Sequence, residues 1–489
     1  MNDPAQGKTV ETPVTARRTR QAAAAARRIQ SMGQDSIWKL LFRFSGPTIV
    51  SMMVASSYNI VDAIFVGRLG PEALAALTVS FPLMMIFMAI AFGTGAGAAS
   101  LISRRLGAGD RDGASHAAGV AITLSLVIGA TMAPICLPIL DALLSLFGAS
   151  GPVLALAREY MYVLVITASL AFFPLVVNAT VRAEGNPVFA SSIMIVSAVV
   201  NIIMDPLLIF GLGPFPEMGL AGAAIATVIG RGTGTLILVG YFLSGRSSYH
   251  FRPGHFVPDI RTLVAIYRIG IAAILQQLAG SIVMVVVNRT AATFGTLPLA
   301  VMGVVFRSLS FIVMPCAGIG QGMMPLVGFN FGAGQRARVG EVVMKAGLAA
   351  TAWGLLWWVV ILVRPEVIIA VFSPDPEFLQ MGAGAVRIFG ALLFAVGFQI
   401  ATAFFFQGIG KALPSLVLAS ARQILFLLPA LFILPPLFGL TGLWMSFPIA
   451  DTLGLMATVV WAVYTFRRLG IPVRLRYPRP EAGLPEAKR

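Results

Sequence analysis

The sequence predicts an all-α polytopic membrane protein with twelve transmembrane helices. They form two six-helix lobes related by a pseudo-two-fold along the membrane normal. Three observations lead there. The chain of 489 residues is 57% hydrophobic and only 11% charged, where a soluble chain carries about 25%. It contains twelve apolar runs of membrane-spanning length, roughly 20 residues each. Its two halves repeat a pattern of small residues at a fixed offset.

Residues 1–40 are a basic tail, with ARRTR and ARRIQ around an alanine run. Asp3 and Glu11 argue against a transit peptide, which is poor in acids. The tail is expected to be solvated and to touch anionic lipid. With no cleavable signal visible, the first helix directs insertion. The six runs of the N-terminal lobe, 41–243, fall at 41–66, 74–101, 117–138, 160–181, 189–211 and 219–243. A polar linker, 244–263, contains SGRSSYHFRPGH. The C-terminal lobe, 264–466, has runs at 264–291, 297–327, 342–363, 385–408, 415–437 and 441–466. Residues 467–489 are a second basic tail, rich in proline and expected to be disordered.

The tails and the even-numbered loops hold 24 Lys and Arg, and the odd-numbered loops hold three, Arg68, Arg158 and Arg364. The positive-inside rule then places both termini in the cytoplasm of a cell inner membrane. The same asymmetry accounts for the net charge of +15 without a nucleic-acid partner. Cys136 and Cys316 lie in apolar runs and read as inert core thiols rather than a disulfide framework. His116, His250 and His255 fall in or beside predicted cytoplasmic loops and read as surface residues.

The repeat holds at an offset of 225 residues. Gly93, Gly95 and Gly97 match Gly318, Gly320 and Gly322. Gly107, Ala108, Gly109 and Arg111 match Gly332, Ala333, Gly334 and Arg336, and Gly185 matches Gly410. GLAG at 219–222 matches GLTG at 439–442 after a five-residue shift. Six helices bring each half back to the side where it began, so the repeats are parallel and face each other across a cleft. Rocking two such lobes is the architecture of a secondary transporter.

The chemistry is expected in the first and fifth runs. Asp62 lies inside YNIVDAIFVGRLG, where a carboxylate costs about 2.5–3.5 kcal/mol at a helix centre on insertion scales. The functional reading is an ion or proton site facing a cavity; the bland one is a hydrated helix end. Asn201 and Asp205 in VVNIIMDPLL share a helix face at i, i+4. Pro206 frees a backbone carbonyl one turn earlier. Carboxylate, amide and carbonyl together suit a small cation or a proton; the competing reading is a pair that ties helices together. Asn59 is expected on the Asp62 face, and Asn59, Asn178, Gln276 and Asn288 are candidate cleft residues. Arg231, Arg289, Arg307, Arg387, Arg422 and Asp451 lie in or near apolar runs and snorkel, pair or touch substrate. No GxxxxGK[ST] motif occurs, and FGTGAGAAS follows a membrane helix, so its glycines read as packing residues. No metal cluster or nucleophile motif points to an enzyme, and no organic cofactor is implied.

These motifs resemble the multidrug and toxic-compound extrusion (MATE) family. The residues that carry the resemblance are Pro47 with YNIVDAIFVGRLGPEALAAL, then GTGAGAASLISRRLGAGD, NATVRAEGNP, NIIMDPLLIFGLG and GLAGAAIAT. In the second half they are GIGQGMMPLVGFNFGAG and FFQGIGKALP, so the likeness spans about 41–466. It implies export of amphipathic, often cationic drugs or toxic compounds against H⁺ or Na⁺. It implies a coupling site at Asp62, Asn201 and Asp205, with Thr227 as a sixth-helix hydroxyl and Pro47 as the first-helix proline that bends. No acid lies between Ile269 and Leu326, so a cation site there in the C-terminal lobe is not expected. A flippase for a lipid-linked precursor is the alternative within the same superfamily, supported by Arg289 and Arg307. The expected partners are a small organic substrate and the bilayer, with the protein a monomer.

The loop asymmetry yields a direct test. A cysteine placed near Ser248 in a cysteine-free background should be shielded from impermeant thiol reagents added to intact cells, and one near Asp375 should react. The reverse pattern would overturn the orientation.

Overall fold

The computed structural model describes residues 13–372 and 375–472. The ends of both expected tails, 1–12 and 473–489, lie outside the described residues, and with them the expectation of a disordered C-terminus. The N-terminal lobe contains α2 (Ile37–Gly67), α3 (Pro71–Gly107), α4 (Arg111–Cys136), the short α5 (Leu140–Leu146), α6 (Gly151–Ile166), α7 (Ala168–Ala183), α8 (Pro187–Ile209) and α9 (Gly219–Leu243). The C-terminal lobe contains α10 (Ile260–Ala292), α11 (Thr296–Gly332), α12 (Arg336–Val363), the short α13 (Pro365–Ala370), α14 (Pro376–Phe389), α15 (Leu393–Gly408), α16 (Ala412–Ser420), a π-helical turn (Ala421–Leu427) and α17 (Leu428–Leu469).

Among the described residues, nine helical stretches are long and apolar enough to cross a membrane. Two further spans are bent pairs, α6 with α7 at 55° and α14 with α15 at 48°. The last stretch is really two spans. It breaks at Gly439, whose φ of 60° and ψ of −142° lie outside helical space and suit a residue without Cβ. Twelve spans result, as the sequence predicts. Several run past their expected limits, α3 to Gly107 and α6 back to Gly151, because a helix does not stop where the hydrocarbon does.

The lobes meet along α2, α3, α10 and α11, and the repeated glycines make the seam. A Cβ on Gly93 would strike Ile274 and the Gly270 carbonyl; one on Gly318 would strike Ile49. These are the same contact with the halves exchanged, since 93 corresponds to 318 and 274 to 49. Gly97 against Gly270 and Gly322 against Ser45 form a second exchanged pair. Gly107 lies on the Phe329 carbonyl and Gly332 on the Arg104 carbonyl, a third. Ser103 faces Gly328, its own counterpart, so the pseudo-two-fold passes between them. Reciprocal contacts of this kind are what a two-fold requires. Without a hydrophobic drive between helices in lipid, close backbone approach supplies the packing.

The N-terminal segment differs from the solvated tail expected for 1–40. Residues 13–34 form α1 (Pro13–Gln34), with Ala25, Ile29 and Met32 buried. Arg28 Nη2 donates to the Arg246 carbonyl on one side at 2.8 Å. Asn330 Nδ2 donates to the Met32 carbonyl at 3.2 Å on the other. The amphipathic pattern Ala25–Ile29–Met32, spaced at a helical turn, is why this stretch docks. The linker is also packed. Glu184 accepts from Ser247 Oγ at 2.8 Å and from the Ser248 amide at 2.7 Å. His255 is buried rather than at the surface, with Nε2 at 3.3 Å from Asp112, and His116 lies 2.7 Å from Asp259.

At Gly107 and Gly332 the obstacle to a side chain is backbone, which no rotamer change relieves. Gly107→Val or Gly332→Val should therefore weaken the closed seam by about 1–3 kcal/mol. Spin labels at Arg111 and Arg336 should move apart by pulsed EPR, while Gly46→Ala, with open space around it, leaves them in place. An unchanged distance in the valine variants would contradict the seam.

Candidate functional site

Within the N-terminal lobe the fifth span, α8, packs against both α2 and α9. This brings together the residues singled out in the sequence. Asn201 Nδ2 donates to Asp205 Oδ1 at 3.2 Å and lies 3.5 Å from Thr227 Oγ1 on α9. Asp205 is 0% exposed, Asn201 3%, and Asp62 and Thr227 8% each. Asp62, Asp205, Tyr58 and Arg231 all lie near Tyr160, and Asp62 lies near Asp205. Asp62 therefore faces the lobe interior and is no hydrated helix end.

Three acceptor atoms in this group, Asp62 Oδ1, Asn201 Oδ1 and Asp205 Oδ2, have no hydrogen-bond partner among the described residues. A buried carboxylate oxygen without a donor is costly and normally finds one. A proton or a small oxygen-seeking cation supplies what is missing. Among the described residues no group of three or more His, Cys, Asp or Glu forms a transition-metal cluster.

Beside this group lies a cavity of about 300 Å³. Its walls come mainly from the N-terminal lobe, on α2, α3, α7, α8 and α9; Gln321, Met324 and Pro325 of α11 and Phe404 of α15 close it on the other side. Asn201 and Thr227 line it, while Asp62 and Asp205 stand behind that wall. Pro47 lies within α2, one turn before the lining residue Ser51, so the helix that carries Asp62 also carries the proline.

Of the expected cleft residues only Asn178 lines this cavity. Asn59 is exposed and turns its amide back to the Ala55 carbonyl at 2.8 Å. A step of three residues leaves it about 60° around the helix from Asp62, enough to leave the buried face. Gln276 and Asn288 sit half-buried on α10 and do not line it either. Gln276 is the repeat counterpart of Ser51, which does line it; the cavity draws most of its wall from the N-terminal lobe, and α10 contributes nothing to it. The membrane arginines also separate. Arg231 lines the cavity, Arg387 lies 3.6 Å from Glu366, Arg422 lies 2.6 Å from Asp451, and Arg289 and Arg307 are exposed. Arg182, Tyr58 and Gln321 also line the cavity and were not singled out from sequence. For Arg182 the signal was present: Asn178 and Arg182 are four apart, one above the other on a helix.

A family model described as MatE matches residues 47–207 and 269–433, once on each lobe. The chain belongs to the MatE family. Among curated MATE relatives, the multidrug export protein MepA of Staphylococcus haemolyticus is 29% identical over 420 residues, covering 86% of this chain and 92% of its own. A protein named FAD transporter from Shewanella oneidensis is 27% identical, covering 85% and 92%. A crystal structure of a MATE protein in the bent conformation superposes with a TM-score of 0.85 at 29% identity, covering 91% of this chain and 98% of that one. This MATE chain is thus a multi-pass membrane transporter with the twelve-helix, two-lobe fold.

Proposed function

We propose that the protein is a secondary active antiporter that exports amphipathic organic compounds in exchange for H⁺ or Na⁺. The observation that carries the reading is the set of orphaned acceptors on Asp62, Asn201 and Asp205 behind the cavity wall. Ionised, the two carboxylates make that end of the cavity negative and favour a basic substrate. Loaded with a proton or a cation, they lose that charge, and affinity falls. A ligand shifts a conformational equilibrium only by its difference in affinity for the states. Loading therefore favours a different packing of α2 around Pro47, and with it release.

The likeness to multidrug export proteins supports a drug-like substrate. The positive-inside pattern supports placing the protein in the plasma (cell inner) membrane with both termini cytoplasmic. The glycine seam then closes the cytoplasmic side and the cavity faces outward. The reading calls for no organic cofactor and for a monomer as the working unit. Arg289 and Arg307, the residues that favoured a lipid-linked pyrophosphate, lie outside the cavity, so those two residues lend the flippase reading no support.

Efflux of a cationic dye from proteoliposomes, driven first by a pH gradient and then by a Na⁺ gradient, tests the proposal. One gradient should drive wild-type efflux. Asp62→Asn and Asp205→Asn should lose at least tenfold in driven efflux while melting near the wild-type temperature. The double variant should be little worse than either, because the pair acts as a unit. Asp451→Asn should retain most transport. Full efflux by folded Asp62→Asn and Asp205→Asn proteins would remove the assignment.

A further inference from the structure

The cavity lining has an uneven charge. It includes two cationic side chains, Arg182 and Arg231, and no carboxylate. Arg231 shares the surroundings of Tyr160 with Asp62 and Asp205, though no ion pair joins it to either among the described residues. Arg182 lies away from that acidic group. It is half-buried near the end of α7, and its Nη1 donates to Asn178 Oδ1. Asn178 is in turn fixed by donating from Nδ2 to the Ala190 carbonyl on α8. The carboxylate nearest in sequence, Glu184, is engaged by Tyr241, Ser247 and the Ser248 amide. No ion pair to Arg182 exists among the described residues.

An arginine half-buried in a cavity wall at the end of a spanning helix, without an ion-pair partner, is costly, and such residues mark substrate paths. Its planar fork suits a carboxylate or phosphate, and the Asn178 contact orients it while leaving other N–H groups free. Its position is also distinct from the acidic end. Asn178 is tied to residue 190 of α8, and Asn201 lines the far end eleven residues on, which is about 16 Å at helical rise.

The geometry points to an anion-recognising subsite formed by Arg182 and Asn178, at the end of the cavity opposite Asn201 and Asp205. The cavity is therefore bipolar and selects amphipaths that carry an acid group as well as a basic nitrogen. The basic group lies toward the carboxylates, where ion loading competes with it. The acid group lies on Arg182, outside the reach of that competition. This rests on the transport reading above and names its substrate class.

Rhodamine B and its ethyl ester differ in a free carboxylate, so their equilibrium binding to the purified protein, read by fluorescence polarisation, isolates the subsite. A charge-assisted bond to the acid group predicts that the wild type binds the acid about tenfold tighter than the ester. Arg182→Gln should abolish that preference by weakening the acid and not the ester, and Arg182→Lys should restore part of it. If Arg182→Gln does not fold, Asn178→Asp serves instead, since an internal carboxylate on the guanidinium removes the preference. Equal wild-type affinity for acid and ester, or equal weakening of both by Arg182→Gln, would overturn the subsite. Ion-driven efflux of the ester alongside either result would leave the antiport reading standing.

Discussion

Two carboxylates, Asp62 and Asp205, are held out of water inside one lobe, and much of the molecule follows from that expense. Each retains an oxygen without a donor, and Asn201 adds a third unpaired acceptor beside them. A lobe that only needed to pack would use apolar side chains at these positions. The repeat shows that the fold tolerates this. At the equivalent places in the other half stand Val287, 0% exposed, and Ala430, 8% exposed. The scaffold is thus duplicated while the chemistry is not.

The seam supplies the second constraint. Reciprocal glycine contacts let α3 and α11 touch at backbone distance around the pseudo-axis, and α2 and α10 close against them. Because α2 belongs to the seam through Ser45 and Ile49 and to the acidic site through Asp62, it joins the two. Asp62 thus sits on the same helix that holds the lobes together, and Pro47 lies within its seam segment, between Ser45 and Ile49. α1 adds a contact to each side of that seam, through Arg28 to the linker and through Met32 to Asn330.

Much of this is legible in the sequence because membrane solvent imposes simple rules. Run length gives the spans, glycine spacing gives the repeat, and a carboxylate among apolar residues marks the candidate site. The i, i+4 pair Asn201 and Asp205 is read correctly because helical geometry fixes it. What escapes is tertiary. Nothing local distinguishes Ser51, which lines the cavity, from its counterpart Gln276, which does not. Arg182 reads as a loop charge until α7 is seen to reach Ala183 and its Asn178 to meet α8. Arg422 and Asp451 become a pair only once the π-helical turn and α17 are packed together. The tail helix α1 is hidden by its high charge, though its apolar residues keep a helical spacing.

The most direct measurement is ion release on substrate binding at equilibrium. Purified protein in weak buffer would be titrated with a cationic dye, and free H⁺ and Na⁺ followed together. Binding should expel one of these ions from the wild type, and Asp62→Asn and Asp205→Asn should bind dye without expelling it. Dye binding that releases neither ion, or release that persists undiminished in both variants, would contradict a coupling site at these carboxylates.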